Sequence, residues 1–465
     1  MLSPPQPAVF RPERTLLTLG DAFYDPVEPA RFPQHIVRFR NDRWDRAVGL
    51  DGLDEAQWIA HFGRFEPFAG SLDQPLAQRY HGHQFRVYNP DLGDGRGFVF
   101  AQMRDAGGRL LDFGTKGSGR TPYSRTADGR LTLKGGVREI LATEMLEARG
   151  VDTSKSFSLI ETGEQLMRGD EPSPTRSAVL VRLSHGHMRI GTFQRLAYRG
   201  ETENIRRLTD YCLAELYDDA PGADAAAQLL DHVVAGTARL AASYMAAGFV
   251  HGVLNSDNIN ITAESFDYGP WRFTPHWDGA FTAAYFDDQR LYAFGRQAQA
   301  IHWDVVQLAL ALRTIATAEA LTPPLERFPA LYEAALRDAL FARLGIAPKN
   351  EADDLALLEA LERALTGTGI GLDRFYFDWA GGRRRGPSPA DEIYRQDAFA
   401  AFGMLIGGFE TVRGTDHPYW ADPEPCSMLI DEVEAIWADI AERDDWSAFH
   451  AKIAAIRRMG EALRG

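Results

Sequence analysis

His251-Gly-Val-Leu-Asn-Ser-Asp-Asn258, followed by Ile259-Asn-Ile261 and Phe266-Asp267-Tyr-Gly-Pro270, is the stretch from which the rest of the chain can be read. It predicts a tight loop with a strand-like segment, 259–261, just behind it. Asp257, Asn258 and Asp267 fall close together in sequence. Short side-chain oxygens at this spacing suit a hard cation such as Mg²⁺, which takes only one or two protein ligands when it also holds phosphates.

The spacing fits the protein-kinase catalytic loop, which reads H-R-D, four residues, N, with a metal-binding D-F-G further on. His251, Asn258 and Asp267-Tyr-Gly occupy the matching positions, but Val253 stands where the proton-accepting aspartate belongs. Either the site is catalytically dead, or another acid does the work, and Asp257 sits beside the asparagine.

Upstream, Leu92-Gly-Asp-Gly-Arg-Gly97 precedes a strand candidate at 98–103. Asp105-Ala-Gly-Gly108 signals a hairpin turn, and 110–115 returns as a second strand ending at Lys116. Glycines at alternate positions, Gly93 and Gly95 among them, let backbone N–H groups approach a phosphate. A plain β-turn is the competing reading. Residues 117–130, which include Asp128-Gly-Arg130, are rich in glycine and arginine, as a phosphate-contacting loop or a solvated hairpin would be.

Residues 135–150 predict a helix with Val137, Ile140, Leu141, Met145 and Ala148 on one stripe and Gly150 as its stop. Glu139 is placed in its first turn, where it either complements the helix dipole or pairs with the strand lysine. Segments 156–161 and 177–183 read as further strands. Arg182 within the second, and Arg189 after it, each need an anion or water, because an arginine cannot shed its charge. An ion pair and a phosphate contact answer that need equally well.

Residues 1–90 read as irregular, apart from a helix starting near Asp54 that carries Trp58 and Phe62. Tyr80-His-Gly-His-Gln-Phe85 alternates two histidines without a third metal ligand nearby, which favours packing or a turn. Past residue 200 the spacing turns helical, at 204–216, 225–247, 301–316, 331–341, 353–365, 430–440 and 449–463. Arg383-Arg-Arg385 lies in a Gly/Pro-rich loop and reads as solvated.

Composition sets the bounds. The 465 residues carry a formal charge of −15, with 45% apolar and 25% charged residues, which describes a soluble globular chain without a nucleic-acid-binding face. Two cysteines, Cys212 and Cys426, exclude a disulfide framework and fit a reducing compartment. The Pro-rich residues 1–14 show no secretory h-region, and no apolar run approaches the ~18 residues of a membrane span. The expected location is cytoplasmic, with no membrane partner.

Gly-rich turn, hairpin, lysine, helix with glutamate, more strands, helices and then a metal-binding loop is the order of an α+β, protein-kinase-like two-lobed fold. The division expected is a β-rich N-terminal lobe at 1–199 and a helical C-terminal lobe at 200–465.

The blocks Leu92–Gly97, Lys116-Gly-Ser-Gly-Arg-Thr-Pro-Tyr-Ser-Arg125, Asp128-Gly-Arg130, Arg138-Glu139, His251–Asn258 and Asp267-Tyr-Gly-Pro270 make this sequence similar to the selenoprotein O, or YdiU, family of kinase-like protein adenylyltransferases. The similarity runs from about residue 19 to about residue 312. It implies transfer of AMP from ATP to a Ser, Thr or Tyr hydroxyl of a protein, releasing pyrophosphate, with the ATP inverted relative to kinases. By position it implies Asp257 as proton acceptor and Asn258 and Asp267 as ligands of Mg²⁺ or Mn²⁺. It places Lys116, held by Glu139, on ATP phosphates, and Gly93, Gly95, Arg96, Asp128, Gly129, Arg182, Arg189 and Asp267 at the nucleotide. Beyond about residue 320 the family's usual C-terminal segment is not recognised, making that region divergent. The tail 461–465 lacks the cysteine or selenocysteine many members carry. The other readings are a kinase-like phosphotransferase and a nucleotide-binding pseudokinase scaffold, though a scaffold would not need Lys116, Glu139, Asn258 and Asp267 together. Acceptor proteins and oligomeric state stay open.

Overall fold

The computed structural model describes residues 9–169 and 171–465, so the first eight residues of the Pro-rich opening lie outside the described residues. Among the described residues nine strands form one antiparallel sheet. Its path runs Tyr24–Pro26, Leu76–Gln78, Val99–Arg104, Leu110–Lys116, Thr175–Ser184, Lys155–Leu166, Ile36–Arg40, with Pro12–Glu13 and Leu131–Thr132 pairing off that path. Four of these strands and the helices Asp42–Ala47 and Glu55–Phe62 fall in residues 1–90, which are therefore far from irregular. The strands are not evident from the sequence because each is only two to five residues long and three of the four hold Pro, Asp or Arg.

The hairpin that delivers Lys116 is closed by Asp105, whose Oδ1 accepts from the backbone N–H groups of Gly107 and Arg109, both at 2.9 Å. Both faces of the sheet are covered. On one, Phe113 and Phe157 meet Trp58 and Phe62 of the helix Glu55–Phe62, whose start is fixed by an Asp54–Gln57 capping box. On the other, Val99, Leu159 and Leu180 meet the helix Leu133–Ala148. Double coverage explains why these strands are apolar throughout instead of alternating.

The helix Leu133–Ala148 begins two residues earlier than its apolar stripe suggests, because the Thr132 hydroxyl accepts from Gly135 N–H at 3.1 Å and caps it. Glu139 consequently lies in the second turn, not the first. Dipole complementation is weak there. Gly136 lets the helix approach the sheet: a Cβ there would lie 2.4 Å from Leu159 Cδ1.

The helical half is built on Ala225–Ala247 and Gln297–Leu312, flanked by Phe328–Leu344 and Glu351–Thr368. The stretch read as one helix at 204–216 is an α-helix, Thr202–Tyr211, that widens into a π turn, Cys212–Leu216. Two helices, Ile430–Arg443 and Ser447–Arg464, fold back onto the helix Leu133–Ala148. Arg457 grips Glu144 with two hydrogen bonds of 2.9 Å, and Lys134 meets Glu434 at 2.7 Å. The largest apolar core accordingly runs from Leu16 to Ala462. The arginine run at 383–385 is not a free solvated loop. Arg385 is bound to the carbonyls of Phe377 and Trp420, Arg384 to Asp391, and Arg383 alone of the three is exposed.

Candidate active site

Lys116 ends its strand inside the protein, 4% exposed, with Nζ 2.6 Å from Glu139 Oε2, 3.0 Å from Asp267 Oδ1 and 3.2 Å from the Tyr268 carbonyl. A lysine buried this far needs partners of opposite charge, and it meets carboxylates from the helix and from the Asp-Tyr-Gly segment. Arg182, on the neighbouring strand, reaches Asp267 Oδ1 at 3.3 Å and Glu139 Oε1 at 3.6 Å. Arg189 precedes the helix Ile190–Tyr198 and spans Asp94 at 3.3 Å, Asp267 at 3.8 Å and the Asp257 carbonyl at 3.0 Å. Its guanidinium lies over the rings of Tyr80 and Phe266, 4.3 and 4.8 Å from their centroids.

Asp267 sits at φ 62°, a left-handed conformation that costs a non-glycine residue energy and is kept only where the surroundings enforce it. Burial alone would raise its pKa, but Lys116, Arg182, Arg189 and Arg96 hold it well below the usual carboxylate range. Asp257 behaves oppositely: burial pushes it up to about 7, opposed by Arg189 and assisted by the charge on Asp267. Its Oδ1 is buried with no hydrogen-bond partner among the described residues. Two carboxylates with pKa values driven apart are the usual sign of divided roles.

The loop that carries Asp257 and Asn258 is a 3₁₀ turn, Ser256–Asn258. The segment behind it is not a strand. It makes an isolated bridge, Asn260 to Arg189, with Ile259 O and Ile261 N bonded to Ile190 N and Met188 O. Asn258 donates its amide to the Val253 carbonyl at 3.0 Å. Asn255 is the tether: its Oδ1 accepts from Phe85 N at 3.1 Å and from Tyr292 OH at 2.7 Å. His251 donates its Nε2–H to the Phe266 carbonyl, 3.0 Å away.

A cavity of about 350 Å³ opens in front of this cluster, and its wall includes Gly95, Arg96, Lys116, Arg182, Arg189 and Asp267 from the sequence reading. Glu139 stands behind Lys116, outside the wall. Asp257 and Asn258 also stand outside the wall, and Asp257 is tied to it through its carbonyl, 3.0 Å from Arg189. Gly93 does not line it; a Cβ there would run into the Tyr123 ring at 2.3 Å, so packing explains this glycine. Asp128 and Gly129 also stand outside the wall. Asp128 is paired with Arg168 at 2.8 Å, and Gly129 at φ 71° turns the chain against Gly119. The sequence reading missed Tyr80, Asp94 and Arg125, which do line the cavity. Asp94 carried a signal, an acid between two glycines, whereas nothing marked Tyr80.

His81 and His83 bind Tyr88 OH and Gln194 respectively, as the packing reading expects. Among the described residues no three His, Cys, Asp or Glu side chains form a metal cluster. A larger cavity, about 730 Å³, lies among the C-terminal helices and contains none of these groups. Its apolar wall cannot neutralise a phosphate, so the smaller cavity is the candidate site.

Comparison with known proteins adds the lineage. The sequence model described as protein adenylyltransferase SelO matches residues 9–390. A protein nucleotidyltransferase YdiU of Synechocystis sp. is 48% identical over 464 residues, covering 94% of this chain and 96% of that one. One from Gloeobacter violaceus is 44% identical over 467 residues, covering 96% and 95%. These matches extend past residue 312, where the sequence reading ended the similarity. Among solved structures, a kinase domain of a Toxoplasma gondii rhoptry antigen covers 60% of this chain and 86% of that chain, with a TM-score of 0.27 and 11% identity, too distant a likeness to argue from. By the family match and by relatives similar along almost their whole length, this chain belongs to the family of protein adenylyltransferase SelO.

Proposed function

We propose that this protein transfers AMP from ATP to Ser, Thr or Tyr hydroxyls of other proteins, releasing pyrophosphate. The observation that carries the reading is charge. Among the described residues the cavity wall sets five cationic side chains, Arg96, Lys116, Arg125, Arg182 and Arg189, against two carboxylates, Asp94 and Asp267. Such an excess calls for a polyanion, and a triphosphate supplies it.

The donor set suits Mg²⁺ or Mn²⁺. Asn258 spends its amide N–H on Val253, which leaves its oxygen to ligate, and Asp267 stays ionised. With two protein oxygens, phosphates and water would complete the shell. The cation would neutralise charge on the transferring phosphate. Lys116, locked by Glu139, and Arg182 and Arg189 orient the phosphates. The acceptor oxygen attacks the α-phosphorus, the bond to the bridging oxygen breaks, pyrophosphate leaves, and the hydroxyl proton passes to Asp257. Gly93, Asp128 and Gly129 shape the adjoining loop. Lobes at 1–199 and 200–465 would close on the nucleotide, and the expected setting is cytoplasmic; among the described residues no helix is long and apolar enough to cross a membrane.

Incubation with ATP labelled at the α- or the γ-phosphate tests this. Label should reach protein from the α position, with a mass increase of AMP. Label from the γ position alone would mean a kinase, and no label with intact ATP binding would mean a scaffold.

A further inference from the structure

The 730 Å³ cavity takes no part in the chemistry, yet it is a formed groove. One wall is the helix Phe328–Leu344, presenting Tyr332, Leu336 and Leu340 at a four-residue spacing. The other is the helix Glu351–Thr368, and the floor is the Trp277–Phe294 pair, edge-on at 5.3 Å. Leu355 at its rim is 56% exposed. Among the described residues its formally charged lining side chains are all acidic, Asp278, Glu359 and Glu362, and all three are exposed. An apolar trough between two helices, with a one-signed rim, has the form of a groove that receives an amphipathic segment, and its charge selects a basic one.

The groove is also joined to the catalytic loop. Its floor belongs to the loop 274–296, whose two arms cross where Gly295 meets Gly279; a Cβ on Gly295 would lie 3.0 Å from the Gly279 Cα. The same loop carries Tyr292, whose hydroxyl bonds Asn255, two residues before Asp257. A partner seated in the groove therefore holds the element that braces the active site.

We propose that this groove docks acceptor proteins through a basic, amphipathic segment remote from the modified hydroxyl. This rests on the transferase reading above. The probe is a fluorescein-labelled amphipathic helical peptide, with leucines on one face and arginines on the other. Anisotropy should show saturable binding that weakens by about tenfold or more in the double variant Glu359→Lys/Glu362→Lys. The same peptide with glutamates for arginines should not bind. Joined to a serine-containing tail, the basic peptide should be adenylylated with a raised KM and an unchanged kcat in the double variant, whose circular dichroism should match the parent. Equal binding to both proteins would overturn the proposal. So would displacement of the peptide by a fatty acid, or occupation of the groove by a second copy, seen as concentration-dependent mass in sedimentation. If the peptide binds as expected but the α-label never leaves ATP, the transferase reading fails and the groove stands. If label moves and binding ignores the charge reversal, the groove fails alone.

Discussion

Lys116 and Glu139 show how much one pair controls. Their side chains are 5% and 0% exposed and their charged atoms 2.6 Å apart. Removing one partner of such a pair strands the other, at a cost of about 3–5 kcal/mol. Lys116→Met should therefore lower the melting temperature and abolish ATP binding in calorimetry. Glu139→Gln, which keeps a hydrogen bond, should fold and lose activity more modestly. Asp257→Asn separates binding from chemistry: ATP affinity should hold while AMP transfer falls by about 10²-fold or more, the range for general base removal. Unchanged transfer would remove Asp257 from the role. Glu264 gives a pH test. Burial, assisted by Asp152, raises it to about 8, against Lys155 and the N–H of His185, 2.8 Å away. The unfolded value is about 4.3, so the native state holds the proton more tightly. Its stabilisation is complete below about pH 4 and is lost as pH rises toward 8. Glu264→Gln should flatten that decline in denaturant unfolding, gaining most over the parent near pH 8. That Lys116, Glu139 and Asp267 come together was legible because each sits in a motif with its own local spacing. Tyr80 was not, because its role comes from Arg189 crossing over it from another part of the chain.

Elements follow the same division. The hairpin to Lys116, the helix Ala225–Ala247 and the capped helix Glu55–Phe62 could be read because turn residues, apolar period and cap sit within each segment. Strands such as Ile36–Arg40 could not, since their pairing with Lys155–Leu166 spans distant parts of the chain. The start of Leu133–Ala148 slipped because a threonine cap outranked the apolar stripe. Thr132→Ala should cost about 1 kcal/mol. Arg457→Ala should cost more, because Glu144, with its side chain 2% exposed, keeps only Arg43 and Asn41 as partners. Hydrogen exchange should then speed up first in Ser447–Arg464.

At the scale of the molecule, one apolar core from Leu16 to Ala462 ties both halves together. Heating should give a single transition, coincident by far-UV and near-UV dichroism. ATP with Mg²⁺ at a hundredfold over Kd should add about 2.7 kcal/mol. Two separate transitions would show that the halves unfold independently. The overall α+β plan was evident from the order of motifs. The return of Ile430–Arg443 and Ser447–Arg464 onto the sheet's helix was not, because an amphipathic stripe says that a face is buried without saying against what.

That return has a consequence in time. Glu144 lies in the helix that aligns Glu139, and Arg457, which clamps it, is 313 positions downstream. Chains are made from the N-terminus at a few to some tens of residues per second. A nascent chain thus completes the segments that line the candidate site many seconds before the clamp on the helix Leu133–Ala148 emerges from the ribosome. Until then Glu144, five residues beyond Glu139 on the same helix, has only Arg43 and Asn41 as partners.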